Sequence, residues 1–468
     1  MAVALFCGPV DIAQREARAA QAEQFVRTTL AERGISVVAT TFVDNSGITR
    51  VKSVPMRRLP HLAAWGVGAS TSFDYFRFDD WLAAPPGGTA PVGDLRVIPD
   101  LGRLVPLAAQ PGWAWTPGDR YRQDGEPHDC CNRLLLQRLV DHAAAQSLEI
   151  KAAFELEWVV SAGDGDDFAS AAPGPAYGMS RLVDVSEYAR DLIEALSAEA
   201  IKVEQFHPEY AAGQLELSVA AESPVDAADT SVLVRNTIRA VGRRYDYRTS
   251  FSPKVEADDV GNGGHVHLSV WRDGENLMAG GKGRYGLAPV GEAFSAGILN
   301  RLPALLALGA PSVASYLRLV PSHWAGVYAC WGLENREAAL RMITGSVGSS
   351  DWAANLEVKC VDLTANPYLL LAGLLAAGLD GVAAGKRLPE PVDVDPAALA
   401  PDELERRGIR RLPTTLREST DALAADPVLR NALGSALLDS VLAVRESEIG
   451  LFAEASAEEV VRAFRWTH

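Results

Sequence analysis

Long apolar runs are missing from this 468-residue chain; the longest, residues 368–379, ends at Asp380. A helix that crosses a bilayer needs about 20 apolar residues, so no membrane span is expected. The opening MAVALFCGPVD has neither the basic flank nor the apolar stretch of an export signal. Cysteine is scarce as well. Cys7, Cys130, Cys131, Cys330 and Cys360 are odd in number, show no CxxC spacing and include an adjacent pair that cannot readily bridge. That excludes a disulfide framework, argues against a cysteine zinc site and predicts a reducing, cytoplasmic setting. Positive charge is in deficit, with 44 Lys and Arg against 60 Asp and Glu and a net charge of -16. Such a surface repels polyphosphate backbones and anionic lipid, so neither nucleic acid nor membrane is expected as a partner. Compositional bias is absent too: 48% hydrophobic and 22% charged residues describe an ordinary folded chain. At about 150 residues per domain, the length predicts two domains.

What is present alternates between helix and strand signatures. Residues 11–32 are rich in Ala, Gln, Glu and Arg, carry Ala22, Phe25, Val26 and Leu30 at helical spacing, and stop at Gly34. Residues 35–43 are β-branched and run through Asp44-Asn45-Ser46-Gly47 into the alternating stretch 48–54, the pattern of a β-hairpin. Prolines and glycines crowd residues 85–129 before a helical pattern resumes at 132–146. The expected division is therefore a small amino-terminal domain, 1–125, and a larger domain, 126–468. In the second, strand-like segments (152–160, 214–219, 265–271) alternate with helical ones (185–200, 224–245, 289–307), and the tail from Pro413 is helical. The fold class expected is α+β.

The chemistry sits in those strand-like segments. In Phe154-Glu155-Leu156-Glu157-Trp158, two carboxylates at i and i+2 share one strand face amid apolar neighbours. Such a pair suits a cation; taken alone, it suits equally the wet face of an amphipathic strand. His207-Pro208-Glu209 leads into Gly213-Gln214-Leu215-Glu216, with Glu216 on one face and Leu215 and Leu217 on the other. The string Gly261-Asn262-Gly263-Gly264-His265-Val266-His267-Leu268-Ser269 delivers two imidazoles and a hydroxyl at period two, behind glycines that allow close backbone approach. Arg318, Arg336 and Arg341 follow, then Glu357 and Lys359. Arginine forks suit carboxylate or phosphate, with surface ion pairing as the plain alternative.

In this order along the chain, the segments resemble those of the glutamine synthetase superfamily. Arg318-Leu319-Val320-Pro321, Asn335-Arg336, Glu357-Val358-Lys359 and Ala365-Asn366-Pro367-Tyr368 match its pattern, as do Phe42-Val43-Asp44 with Gly47 and Lys52, and the stretch 93–100. The resemblance spans nearly the whole chain. It implies an amino-terminal β-grasp domain and a catalytic domain whose antiparallel sheet forms a funnel surrounded by helices. It also implies two magnesium or manganese ions, one held by Glu157, Glu209 and Glu216, the other by Glu155, His265 and Glu357. Carboxylates gathered without cations would repel by about 4 kcal/mol per close pair at an effective dielectric near 20, and two divalent ions nearly cancel that charge. The implied reaction is phosphorylation of the glutamate side chain by ATP, followed by attack of a nitrogen nucleophile. On the family's pattern Arg318 and Gly261 hold glutamate, Arg336 and Lys359 face the transferring phosphoryl group, and His207, Ser269 and Arg341 lie toward the nucleotide. Asp74, with Asp79 or Asp80 as alternatives, would act on the amine from a neighbouring subunit.

The departures bear on the nucleophile. Where ammonia-using members carry a flap glutamate, this chain reads Ser322-His323-Trp324. Trp324 cannot accept a proton, but its face offers an alkylammonium group roughly 0.5 to 2 kcal/mol of cation-π attraction. Val260, Asn355 and Lys359 also depart from the family's residues. The expected activity is thus ligation of glutamate to a small organic amine. Ethanolamine comes first and a polyamine next, because residues 322–324 add no carboxylate for a second ammonium group. An ammonia-dependent glutamine synthetase and an inactive regulatory relative are the alternatives. Expected partners are glutamate, an amine and ATP, in a homo-oligomer of two stacked hexameric rings.

Overall fold

The computed structural model describes residues 12–84, 92–163 and 165–468. Cys7, Asp11 and the Pro85-Pro86-Gly87-Gly88 string lie outside them. The chain opens with helix α1 (Ile12–Phe25), extended by a π-helical turn, Val26–Leu30. Strands β1 (Val37–Val43) and β2 (Thr49–Pro55) form the expected hairpin, followed by helix α2 (Leu59–Trp65) and strands β3 (Val67–Ser70), β4 (Asp94–Pro99), β5 (Val105–Pro106) and β6 (Trp113–Tyr121). They make one sheet in the order β2-β1-β6-β4-β3, with β5 on β6; β1 and β6 run parallel. Helices α1 and α2 bury Ala22, Leu59, Leu62 and Ala63 with Val38 and Ala114 in a small core of their own.

A second sheet collects ten strands: β7 (Glu149–Ala162), β8 (Val203–Pro208), β9 (Gln214–Val219), β10 (Tyr247–Ser250), β11 (Val266–Arg272), β12 (Glu275–Asn276), β13 (Tyr328–Leu333), β14 (Ala338–Ile343), β15 (Asn355–Val358) and β16 (Arg410–Arg411). Its main path is β16-β13-β14-β15-β11-β7-β9-β8, antiparallel except for β13 beside β14. The helices Pro224–Gly242, Pro289–Gly309 and Pro367–Ala383 carry the apolar core beneath it. Two of them touch through glycine: a Cβ on Gly297 would lie 2.2 Å from the Ala377 carbonyl oxygen and 2.8 Å from Gly381 Cα. Side chains there would force the helices apart and open the core. The apolar run at 368–379 is thus part of a buried core helix, and among the described residues no single helix is long and apolar enough to cross a membrane. Cys130, Cys131, Cys330 and Cys360 are buried and free.

The hairpin turn of the small domain presses on the large one. Gly47 has φ +76°, and a Cβ there would sit 1.9 Å from the Thr364 carbonyl oxygen, so only glycine fits. Asn366 caps the helix behind it through the Tyr368 and Leu369 N–H groups, and its Nδ2 donates to the carbonyls of Val43 (3.1 Å) and Asp44 (3.0 Å). Arg445 donates to the Asn45 carbonyl at 2.9 Å. These main-chain contacts fix the hairpin against the catalytic domain.

Candidate active site

Alternate residues of a strand share a face, so the register of neighbouring strands decides which polar groups meet. Glu157 stands opposite Glu216, and Glu216 opposite His207. His267 stands opposite Glu357, and Glu357 opposite Arg341. Six adjacent strands, β8-β9-β7-β11-β15-β14, therefore each bring a charged or imidazole side chain to one wall. From that wall His207, Glu216, Glu157 and Arg341 line a cavity of about 790 Å³, which also receives Glu155, Glu209, His265, Gly261, Arg318, Trp324, Arg336 and Lys359, while Glu357 meets this lining through His265 and Lys359.

Within it the carboxylates fall into groups whose ligand atoms lie within 4.8 Å of one another: Glu155 with His265 and Glu357, His207 with Glu209 and Glu216, and Glu155 with Glu157 and Glu216. The first is the set expected for one ion. The other expected set, Glu157 with Glu209 and Glu216, is drawn from two overlapping groups that share Glu216. Glu155 Oε1 lies 2.6 Å from His265 Nδ1, and Glu216 Oε1 lies 3.0 Å from His207 Nε2. Burial, helped by Glu155 and Glu157, lifts the Glu216 carboxyl to about 8 against the pull of His207. His207, hydrogen-bonded to Glu216, rises to about 9. Burial and Glu157 likewise raise Glu209. Burial would also raise Glu357, but Lys359, His265 and His267 outweigh it and hold that carboxyl near about 2. Such a donor set, crowded enough to retain protons at neutral pH, fits divalent cations.

The ligand groups are held from behind. Glu157 Oε2 accepts from Gly263 N–H at 2.7 Å and from Gln214 Nε2 at 3.0 Å, and Gln214 also donates to Asn262 Oδ1 at 2.9 Å. A Cβ on Gly263 would lie 2.6 Å from His265 Nε2, 2.8 Å from Glu157 Oε1 and 2.9 Å from Arg318 Nη2. The glycine string is thus a requirement of space around the wall. Lys359 Nζ and Arg341 Nη1 each donate to Glu357 at 3.0 Å. Arg318 is anchored through the carbonyls of Val361 and Lys359, both at 3.2 Å.

At the mouth stand residues that the sequence alone did not single out. Tyr210 meets Trp324 edge to face, ring centroids 5.8 Å apart. Tyr177, Lys254, Asp258, Asp259 and His323 join them. Arg181, buried, gathers the loop that carries Glu209 and Tyr210: its Nη1 donates to the carbonyls of Glu209 (2.6 Å), Tyr210 (3.0 Å) and Ala211 (2.7 Å). On the other side Ser322 and Trp324 adopt left-handed φ values of 58° and 53°. Trp324 N–H donates to Glu337 Oε1 at 2.8 Å, and Ser322 Oγ to Asp395 Oδ2 at 2.7 Å.

Three expected site residues are outside the cavity lining: Glu357 lies just behind it, against His265 and Lys359, and two others stand apart. Ser269 is buried and accepts from the Trp271 indole N–H at 2.8 Å. Asp74, 3% exposed, pairs with Arg120 at 2.5 Å and with His128, just past the expected domain boundary, at 2.7 Å. Of its alternatives, Asp79 pairs with Arg77 and Asp80 with Arg50.

The pattern of the glutamine synthetase catalytic domain matches residues 129–463. The gamma-glutamylpolyamine synthetase GlnA3 of Streptomyces coelicolor is 55% identical over 442 residues, 94% of this chain and 95% of its own. A solved glutamine synthase homologue superimposes with a TM-score of 0.82 at 34% identity, covering 93% of this chain and 99% of its own. A complex of GmaS with ADP gives 0.80 at 27% identity, covering 92% and 97%. With its fold, its wall of paired glutamates and histidines and these relatives agreeing, the chain belongs to the glutamine synthetase family of ligases.

Proposed function

We propose that this protein joins the γ-carboxylate of glutamate to a polyamine at the expense of ATP, through a γ-glutamyl phosphate, releasing ADP and phosphate. The observation that carries the reading is the single cavity in which grouped carboxylates face Arg336, Arg341 and Lys359, in a chain 55% identical to a polyamine-ligating relative. Magnesium or manganese, bound by Glu155, His265 and Glu357 and by Glu157, Glu209 and Glu216, would neutralise phosphate charge and polarise the transferring group. Arg318 and the Gly261 loop orient glutamate. Arg336 and Lys359 stabilise charge on the phosphoryl oxygens, and His207 and Arg341 complete the nucleotide side. The amine enters past Tyr210 and Trp324, and Asp74, from a neighbouring copy, takes its proton once released from Arg120 and His128.

Polyamine is preferred to ethanolamine because the mouth does hold extra carboxylates. Asp258 and Asp259 line it, contributed by a loop some sixty residues upstream of the flap. An ammonium group carried beyond the reacting nitrogen finds them there; ethanolamine has none to offer. We further propose a cytoplasmic assembly of twelve copies, tested by light scattering. The activity is tested by supplying ATP, magnesium and glutamate with spermidine, putrescine, ethanolamine or ammonium in turn, and recording phosphate release and product mass. A γ-glutamyl spermidine or putrescine mass is expected; preferential glutamine formation would overturn the reading, and preference for ethanolamine would overturn the polyamine assignment.

A further inference from the structure

In the small domain, helices α1 and α2 and strand β4 enclose a second cleft, of about 450 Å³, that shares no described lining residue with the catalytic cavity. Arg15, Arg18, His61, Trp65, Arg96 and Arg122 face it, and no carboxylate is among its described lining residues. In a chain with 60 acidic and 44 basic side chains, that concentration of one sign is unusual. Arg133, by contrast, reaches three carboxylates, Asp100, Asp119 and Asp229. Arg15 lies over the Trp65 ring at 4.4 Å, donates one hydrogen bond to the Ala64 carbonyl at 3.3 Å, and leaves its buried Nε without a partner. Arg18 donates to the Pro99 carbonyl at 3.0 Å. Arg96, half-buried, makes no hydrogen bond or ion pair among the described residues. Arg122, exposed at the rim, meets Asp124 at 3.4 Å and Asp129 at 3.9 Å. Burial and the neighbouring Arg18 charge together lower the Arg15 guanidinium from its ordinary value.

We propose that this cleft is a binding site for a small, multiply charged anion of the polyphosphate or polycarboxylate class, separate from the catalytic cavity. Guanidinium groups left with carbonyl partners or none retain donors in the fork geometry that phosphate and carboxylate accept bidentately. Several cations converging on a concave surface raise the local concentration of anions against the net charge of the chain. A ligand with one negative charge would leave most of that positive field unbalanced, whereas two or more charges relieve it. The cleft volume lies in the range that holds a metabolite of nucleotide size, roughly 300 to 1,000 Å³.

The test is calorimetric titration of the full-length assembly with inorganic pyrophosphate and, separately, with citrate, in magnesium-free buffer containing EDTA, where no divalent cation bridges either probe to the carboxylates of the catalytic cavity. Saturable binding at one site per chain is expected, weakened about tenfold or more by the double substitution Arg15→Ala with Arg96→Ala. Raising sodium chloride from about 50 to about 300 mM should weaken it further, since partly exposed ion pairs are screened. Arg341→Ala, which alters the catalytic cavity, should leave the binding intact. Tighter pyrophosphate than citrate assigns a phosphate ligand, and the reverse order a polycarboxylate. The double variant should keep the wild-type melting temperature and amine-dependent turnover, which separates loss of the site from loss of fold. Absence of saturable binding by both probes, binding that the double variant retains, or binding that Arg341→Ala removes would each overturn the proposal.

Discussion

At one end of the catalytic cavity Glu155, Glu157, His207, Glu216 and Arg341, backed by His267 and Glu357, stand on strands locked to one another by ladder hydrogen bonds. At the other end Tyr177, Tyr210, Asp258, Asp259 and Trp324 stand on loops. The strand end cannot move one ligand without moving its neighbours, because each side chain's place is set by a register shared across six strands. The loop end hangs from single contacts, such as Trp324 N–H on Glu337 and Ser322 on Asp395. It also holds three non-glycine residues, Tyr177, Ser322 and Trp324, in left-handed conformations that cost on the order of 1 to 3 kcal/mol each. A site built this way keeps its charge-handling chemistry constant while the opening that admits the nucleophile is free to vary.

That contrast can be attacked from either end, and the largest effects belong to the strand end. Glu357→Ala should lower turnover on the order of a thousandfold, since a misplaced cation forfeits several kcal/mol of charge stabilisation. Phosphate release at saturating substrates measures it; near-normal turnover would break the distinction. Gly263→Ala, which crowds Glu157, His265 and Arg318 at once, should cost about 2 kcal/mol, or near thirtyfold in kcat, with the fold retained by circular dichroism. At the loop end, Trp324→Ala should raise KM for the amine about tenfold while KM for ATP stays put, which initial-rate kinetics separates. Equal changes in both would mean that the indole serves the whole site.

Smaller effects sharpen the contrast further. Asp258→Asn with Asp259→Asn should raise KM for spermidine about threefold to fivefold and leave ethanolamine unaffected, as expected for exposed ion pairs. The smallest signal is a proton. Glu216, lifted to about 8, retains at neutral pH a proton that a cation must displace. Magnesium binding near pH 7 should therefore release about one proton per chain. Affinity should rise with pH, and the release should fade above about 8. Calorimetry in buffers of different ionisation enthalpy reads this directly, and Trp324→Ala should not alter it.

The strand end was legible in the sequence because period two is visible there: Glu155 and Glu157, or His265 and His267, announce a shared face before any strand is seen. The hairpin at residues 43–49 and the long core helices were legible for similar reasons of alternation and periodicity. The loop end carried no such signal. Asp258 and Asp259 stand in no alternating pattern, and only the folded chain brings them to the cavity shared with a flap that lies more than sixty residues later. Arg181 gave no hint at all, since its partners are backbone carbonyls, which every residue has. Ser269, read from a repeat of two as a site residue, follows the strand into the interior beside Trp271.

The three carbonyls gathered by Arg181 also bear on how such an enzyme can diversify. Because Glu209 and Tyr210 hang on one tether, inherited changes that reshape the opening at Tyr210 disturb an ion ligand one residue away. Lineages seeking new nucleophiles have an easier route across the gap, at residues 322–324, where replacement leaves the charged wall untouched. Related sequences should accordingly vary most at the flap and hold the 207–211 loop nearly still.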